Sequence, residues 1–341
     1  MLNCSRKPKQ FYIFSLMKFL PLIFIFFFTA GHAQKIQPDT SFSVYSTYIK
    51  EKKKRPYISI AQPLTKGNFK TTSNIFYANT PTGNLSLDVV YPKHSKHLLP
   101  AVLFVFGGGW RSGNRSQNIP LAQKMAQNGY VAITTDYRLS THAQFPAAVF
   151  DLKNTIRWIK ANAKKFNIDT NKIIITGFSA GGQLAALVGT TNNDEQFEKE
   201  KINRHSSTVQ AVIDVDGVLA FDHPESSEVS TDPNRKSVAA IWLGSELKDN
   251  PDLWHNASAL NHANQHTVPM LFINSSTPRF HAGRDDLIAK VKPFGIYTEV
   301  HTLLDTPHPF WLFNPWLEQV SSLMINFLDQ QFKNQAAVQL K

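Results

Sequence analysis

Cysteine is almost absent from this chain. The single residue, Cys4, lies near the N-terminus with no lipobox around it, so nothing beyond it can form a disulfide or a cysteine-ligated metal site. Acidic residues are missing from the first 38 positions. That stretch instead carries Arg6, Lys7, Lys9 and Lys18, an apolar run over 19–28, and then Gly31-His32-Ala33. A basic region, a short apolar core and a small-x-small exit are the marks of a secretory signal peptide over residues 1–33, with Gln34 as the expected mature start. Met17 is an equally good initiator, because 17–33 alone has every feature of the signal. The apolar run is too short to span a bilayer comfortably, so no membrane span is expected once it is removed. Secretion without disulfides fits a bacterial periplasm or exterior, where a domain of this size needs no staples. Repeats, low-complexity tracts and nucleic-acid modules are also lacking, so the positive balance does not argue for DNA or RNA. The formal charge of +11 falls to +7 when the four basic residues of the leader are removed. Such a charge suits an acidic polysaccharide or an anionic surface, although solubility explains it more simply.

What is present is a globular composition, 42% hydrophobic and 12% aromatic, enough for a sizeable core. Residues 34–73 are polar and irregular, with a basic run at 50–55, and read as an N-terminal extension on the domain surface. The main domain is expected to occupy 74–333. Within it, 74–79 and 85–91 read as strands joined through Pro81-Thr82-Gly83-Asn84. The continuous apolar run 101–106 reads as a central strand that ends in Gly107-Gly108-Gly109-Trp110. Further strands are expected at 130–135, 209–215, 269–274 and 297–303. Helices are expected at 120–127, 146–166, 285–291 and 316–332. Pro224, Pro233 and Pro251 break the pattern over 220–266, which reads as an insertion over the active site. Alternation of strand and helix implies a three-layer α/β domain with a mostly parallel central sheet and helices on both faces.

The most informative stretch runs from Lys172 to Gly189. Ile173, Ile174 and Ile175 form a β-branched run suited to a strand buried on both faces. Gly177-Phe178-Ser179-Ala180-Gly181 then turns, and 183–188 is apolar at helical spacing. Strand, G-x-S-x-G and helix in that order mark a nucleophile elbow, with Ser179 lifted onto the tip of the turn. The amide of Ala180, at the start of the helix, is directed to where an oxyanion develops. The same pentapeptide also occurs by chance at ordinary helix starts, and the flanking strand and helix are what favour the nucleophile.

With the elbow, the glycine loop, Asp136-Tyr137-Arg138-Leu139 and a histidine after the last strand in this order, the chain resembles an α/β-hydrolase. It is similar to the esterase and lipase branch with an HGGG-type oxyanion loop, which includes acetyl-xylan and feruloyl-type carbohydrate esterases. The resemblance implies that Ser179 is the nucleophile and His308 the general base. It also implies that the amides of Gly108, Gly109 and Ala180 form the oxyanion hole, with no metal or organic cofactor. Phe106 stands where relatives carry histidine, which implies altered packing behind the loop. Arg138 and Asp151 are expected to form a structural ion pair.

The triad acid departs from the pattern, since Thr277 occupies the place where the resemblance expects an aspartate. Asp216, at the end of the preceding strand, is the favoured substitute. Asp285 or Asp286, at the start of a helix, is the alternative, although helix-start acids are common for dipole reasons. Asp305 is too close to His308 in sequence to orient it. Trp110 and Trp311 are candidates for stacking on a sugar ring, against an equally good reading as core aromatics. The expected function is a secreted serine carboxylesterase acting on small acyl or alkyl esters of saccharides. A lipase or peptidase on this fold, or an inactive hydrolase fold used for binding, are the alternatives.

Overall fold

The β-branched and aromatic runs seen in the sequence become strands whose alternate side chains enter two separate cores. In the computed structural model, which describes Met1 and residues 39–229 and 236–332, all described secondary structure belongs to the unit 36–341. The segment expected to be a signal peptide, Met1 apart, lies outside the described residues.

Helix α1 (Val44–Lys52) and the short strand β1 (Ser59–Ile60) come first, followed by β2 (Phe69–Thr80), β3 (Gly83–Pro92) and β4 (Leu99–Val105). Then come α2 (Ile119–Gln127), β5 (Val131–Thr135), α3 (Ala147–Ala161), α4 (Ala163–Phe166), β6 (Ile168–Phe178), α5 (Ala180–Thr190) and β7 (Ala211–Val215). Helices α6 (Val238–Leu243), α7 (Pro251–Ala257) and α8 (Ala259–His262) lead to β8 (Met270–Ser275) and α9 (Arg284–Val291). The chain closes with β9 (Thr298–Leu303), β10 (Phe313–Asn314) and α10 (Trp316–Phe332).

Eight strands form one sheet in the order β2-β3-β5-β4-β6-β7-β8-β9. The pairs β2/β3 and β3/β5 are antiparallel and all others are parallel. Ala101, Leu103, Val105, Ile173 and Ile175 join one core with residues of α3 and α5. Their neighbours Val102, Phe104 and Ile174 join the opposite core with residues of α2 and α10. This is the three-layer arrangement expected, and it explains why β4 and β6 are apolar without interruption. On α10, Leu317, Val320, Met324, Phe327 and Leu328 recur at helical spacing and are buried. Each contributes about 1.5–3 kcal/mol relative to an exposed side chain. From β4 the chain moves to β5 on one side and then to β6 on the other, so a topological switch point falls between β4 and β6. Ligands bind at such a crevice, beyond the carboxyl ends of the strands.

Three expectations are corrected here. No structural break falls at 73/74, because β2 begins at Phe69, paired with Pro92. Nor is the preceding segment a loose surface extension. Ile58 and Ala61 are buried in the core beneath α10, and β1 pairs antiparallel with β10. The local pattern hid this because the contacts are with residues some 250 positions away in the chain. The long helix expected over 146–166 is divided at Asn162 into α3 and α4. The ion pair between Arg138 and Asp151 is present and buried, with Nη2 to Oδ1 at 2.8 Å. It ties the exit of β5 to α3. Among the described residues, no helix is long and apolar enough to cross a membrane.

Candidate active site

Ser179 sits between β6 and α5 with φ 55° and ψ −122°, a region that non-glycine residues occupy only when their surroundings enforce it. Its amide donates to the Val215 carbonyl at 2.8 Å, and its carbonyl accepts from Gln183 at 3.1 Å. A Cβ on Gly177 would collide with the Gly181 carbonyl, and one on Gly181 with the Val105 carbonyl. The glycines of the motif are therefore required by the close approach of strand, turn and helix.

The loop leaving β4 bends at Gly108 (φ 138°) and Gly109 (φ 60°). The Gly108 carbonyl accepts from Ser112 Oγ at 2.9 Å and from the Ser112 amide at 3.1 Å. No described residue accepts a hydrogen bond from the amide of Gly108 or Gly109. The Ala180 amide, first in α5, has no acceptor within its helix. Behind the loop, Phe106 stacks on Tyr137 with ring centroids 4.4 Å apart. The Tyr137 hydroxyl donates to the Phe106 carbonyl at 2.9 Å. An aromatic pair and one hydrogen bond thus support the turn where the resemblance expected histidine.

His308 lies in the loop after β9. Its Nε2 is 2.8 Å from Ser179 Oγ, and its Nδ1 is 2.9 Å from Asp216 Oδ2. With Nδ1 protonated toward the carboxylate, Nε2 is left to accept from the serine hydroxyl. The imidazole is stacked on Phe280 (centroids 3.4 Å, interplanar angle 8°) and meets Trp311 edge-on at 5.4 Å. Asp216 is fully buried. Its second oxygen accepts from the Ser275 amide at 2.6 Å, so β8 holds in place the carboxylate supplied by β7. Thr277 is exposed two residues further on.

The alternative acids lie elsewhere. Asp285 is paired with Arg284 at 2.8 Å, and Asp286 with His223 at 3.2 Å. Asp305 is exposed and paired with Arg55 at 3.3 Å. The absence of an acid at position 277 is the feature that favours an inactive hydrolase fold, and Asp216 fills the acid's place geometrically.

A second carboxyl, Asp214, is buried two residues before Asp216. Burial, and then the charge of Asp216, push its pKa up to about 8, against the pull of the Gly217 amide that donates to Oδ1 at 2.9 Å. Burial therefore favours the protonated form of Asp214, in which it opposes Asp216 with no full charge.

Ser179 and His308 open into a cavity of about 240 Å³, walled also by Phe42, Gly107, Gly108, Gly109, Val238, Phe280 and Trp311. Trp311 is thus at the site. Trp110 is not, which corrects its expected substrate-binding role. It is buried and stacked on Trp242 at 4.9 Å, and its indole N–H donates to Gln183 Oε1 at 2.9 Å. A buried indole needs such a partner, and Gln183 on the elbow helix supplies it. The cavity residues Ser41, Phe42, Arg111, Gln117 and Arg279 were not anticipated. Arg279 and Phe280 carried a usable signal, since they follow a strand exit directly. Phe42 carried none.

A mostly parallel sheet with a serine elbow at its switch point, and a histidine and aspartate from later strand exits, defines an α/β-hydrolase. The BD-FAE family matches residues 87–280, and the chain belongs to it. That match takes in the glycine loop, Ser179 and Asp216 and stops short of His308. Esterase LipC of Mycobacterium tuberculosis is 31% identical over 178 residues, covering 52% of this chain and 44% of LipC. Carboxylesterase NlhH of the same organism is 30% identical over 112 residues, covering 33% and 35%. The chain therefore spans less than half the length of either relative. A truncated carbohydrate esterase from gut microbiota superposes with a TM-score of 0.67 at 24% identity, covering 79% of this chain and 98% of that one. Butyrate-bound esterase 2 of Thermogutta terrifontis gives 0.63 at 25% identity, covering 78% and 95%.

Two predictions follow from the paired aspartates. Asp216→Asn removes the charge that favours an imidazolium and allows the wrong tautomer, and turnover of an activated ester is expected to fall by ~10⁴. Asp285→Asn should stay at the parent's level, and the reverse order in steady-state assays would reassign the acid. Asp214→Asn keeps the shape of the neutral acid. Because the folded pKa lies above the ordinary value of about 4, the group's contribution to stability is complete below that value and is lost as pH rises toward 8. Urea unfolding at pH 5 and pH 8 should show a larger loss for the parent than for Asp214→Asn. Equal losses would mean that Asp214 is ionised throughout.

Proposed function

We propose that the protein is a secreted serine carboxylesterase that removes small acyl or alkyl groups esterified to polysaccharides or oligosaccharides. The observation that carries this reading is the unbroken hydrogen-bonded array Ser179–His308–Asp216 beside glycine-loop amides from which no described residue accepts. In the reaction, Ser179 Oγ attacks the ester carbonyl while its proton passes to His308 Nε2. Asp216 stabilises the imidazolium and holds the ring in place. The amides of Gly108, Gly109 and Ala180 receive the negative charge of the tetrahedral intermediate. Collapse of that intermediate breaks the ester C–O bond, and His308 delivers the proton to the departing alcohol oxygen. Water, deprotonated by His308, then attacks the acyl-serine and releases the acid, and the proton returns to Ser179 Oγ.

The small cavity supports a short acyl or alkyl group on the ester, and Trp311 and Phe42 supply apolar walls. The saccharide part of the reading is supported by the shared fold with a carbohydrate esterase from gut microbiota. Export is supported by the basic, apolar and small-residue order of the first 33 positions.

Ser179→Ala is expected to lower turnover of a short-chain aryl ester by on the order of 10⁶ while leaving circular dichroism and the melting curve intact. Activity within tenfold of the parent would remove Ser179 from the mechanism. Intact-mass measurement of exported protein should give a chain beginning at Gln34. A mass that still includes 19–28 would count against cleavage at that site.

A further inference from the structure

Two arginines, Arg111 and Arg279, line the cavity that contains Ser179, and among the described residues no aspartate or glutamate does. They arrive from different places. Arg111 follows the glycine loop at the exit of β4, and Arg279 follows the exit of β8, three positions away in the sheet order. Both are partly exposed, at 34% and 39% of the side chain.

Each is held by a carboxylate that does not line the cavity. Arg111 Nε donates to Asp39, and Arg279 Nε donates to Glu228 Oε1 at 3.0 Å. Glu228 is almost fully buried, and the Arg279 guanidinium lies over the Phe280 ring at 5.3 Å. These contacts immobilise the two cations without using all their donors. Among the described residues, Nη1 of Arg279 and both terminal nitrogens of Arg111 have no hydrogen-bond partner. A guanidinium presents five N–H donors in a planar fork suited to carboxylate and sulfate oxygens. A neutral ester offers such donors no matching charge.

We propose that the cavity is built for esters that also bear an anionic group, a carboxylate or a sulfate, which Arg111 and Arg279 receive while the ester lies at Ser179. This rests on the esterase reading and names its substrate class. Uronic-acid residues and dicarboxylic half-esters share the required chemistry. In the first the anion belongs to the alcohol side, and in the second to the acyl side.

The test compares matched substrates. The acyl-side pair is 4-nitrophenyl acetate and 4-nitrophenyl hemisuccinate. The alcohol-side pair is O-acetyl-galactose and O-acetyl-galacturonate. In at least one pair the anionic member should have the higher kcat/KM, and the preference should shrink as salt screens the charges. Arg111→Gln combined with Arg279→Gln should reduce that anionic-to-neutral ratio by about tenfold or more, chiefly through KM. A merely structural role for the two arginines would alter both members of a pair alike. Because Arg279→Gln alone strands a buried Glu228, the double variant Glu228→Gln/Arg279→Gln serves as the second measurement and should lower the ratio as well. Hydrolysis of neutral esters without anionic preference in either pair would overturn the proposal and leave the esterase reading standing, as would an unchanged ratio in both double variants. If no ester is hydrolysed and a fluorophosphonate fails to label Ser179, the esterase reading falls and the proposal with it.

Discussion

The contact between β4, β6 and α5 at the Ser179 turn is the constraint on which the rest of the site depends. The backbone of Gly181 lies so close to the carbonyl of Val105, and that of Gly177 to Gly181, that a single methyl group at either place meets a carbonyl oxygen. This tight approach holds the serine in a left-handed conformation that its own sterics disfavour. Two apolar cores press on the turn from opposite faces of the sheet, through Ile173 and Ile175 on one side and Ile174 and Phe178 on the other. Burial stabilises the two layers far more than one strained residue costs, so the strain persists at the position where an exposed hydroxyl is needed.

The second constraint is electrostatic and belongs to β7. A fully buried carboxylate is unfavourable unless its oxygens find donors. Asp216 meets that requirement with the His308 imidazole on one oxygen and the Ser275 amide on the other. The acid thus comes from one strand and is fixed by the next, which keeps the geometry of a triad although the acid does not come from the usual strand exit. Its left-handed backbone, φ 55°, is one that aspartate tolerates better than most side chains. Asp214 lies in the same environment with one oxygen, Oδ2, lacking any partner among the described residues. A raised affinity for its proton is the physical response to that burial beside a neighbouring charge.

The walls of the cavity come from parts of the chain that have little in common locally. Ser41 and Phe42 precede the sheet, Gln117 precedes α2, Val238 begins α6, and Phe280 and Trp311 flank His308. The N-terminal segment is kept near the site by β1 on β10 and by ion pairs of Arg55 and Arg111. The catalytic array is thus set by the sheet, while the shape and charge of the space in front of it are set by loops.

By itself the sequence determined whatever depends on residues a few positions apart. The period-free apolar runs of β4 and β6, the G-x-S-x-G turn, the glycine loop and the helical spacing of α10 each reflect local sterics or periodicity, so they were legible without coordinates. His308 was legible from its place after the last strand. The sequence could favour Asp216 over Asp285 but could not decide between them, because a carboxylate 92 residues from its histidine partner is selected by packing. The two tryptophans were equivalent on paper. The structure separated them by giving Trp110 a buried acceptor in Gln183 and leaving Trp311 at the cavity wall. The segment before β2 reads as a surface extension because its own pattern is polar, and only the tertiary structure placed Phe42 at the site and Arg55 beside Asp305. Local propensity is encoded residue by residue, but the choice of partner among distant, chemically equal side chains is made by the packing of the whole domain.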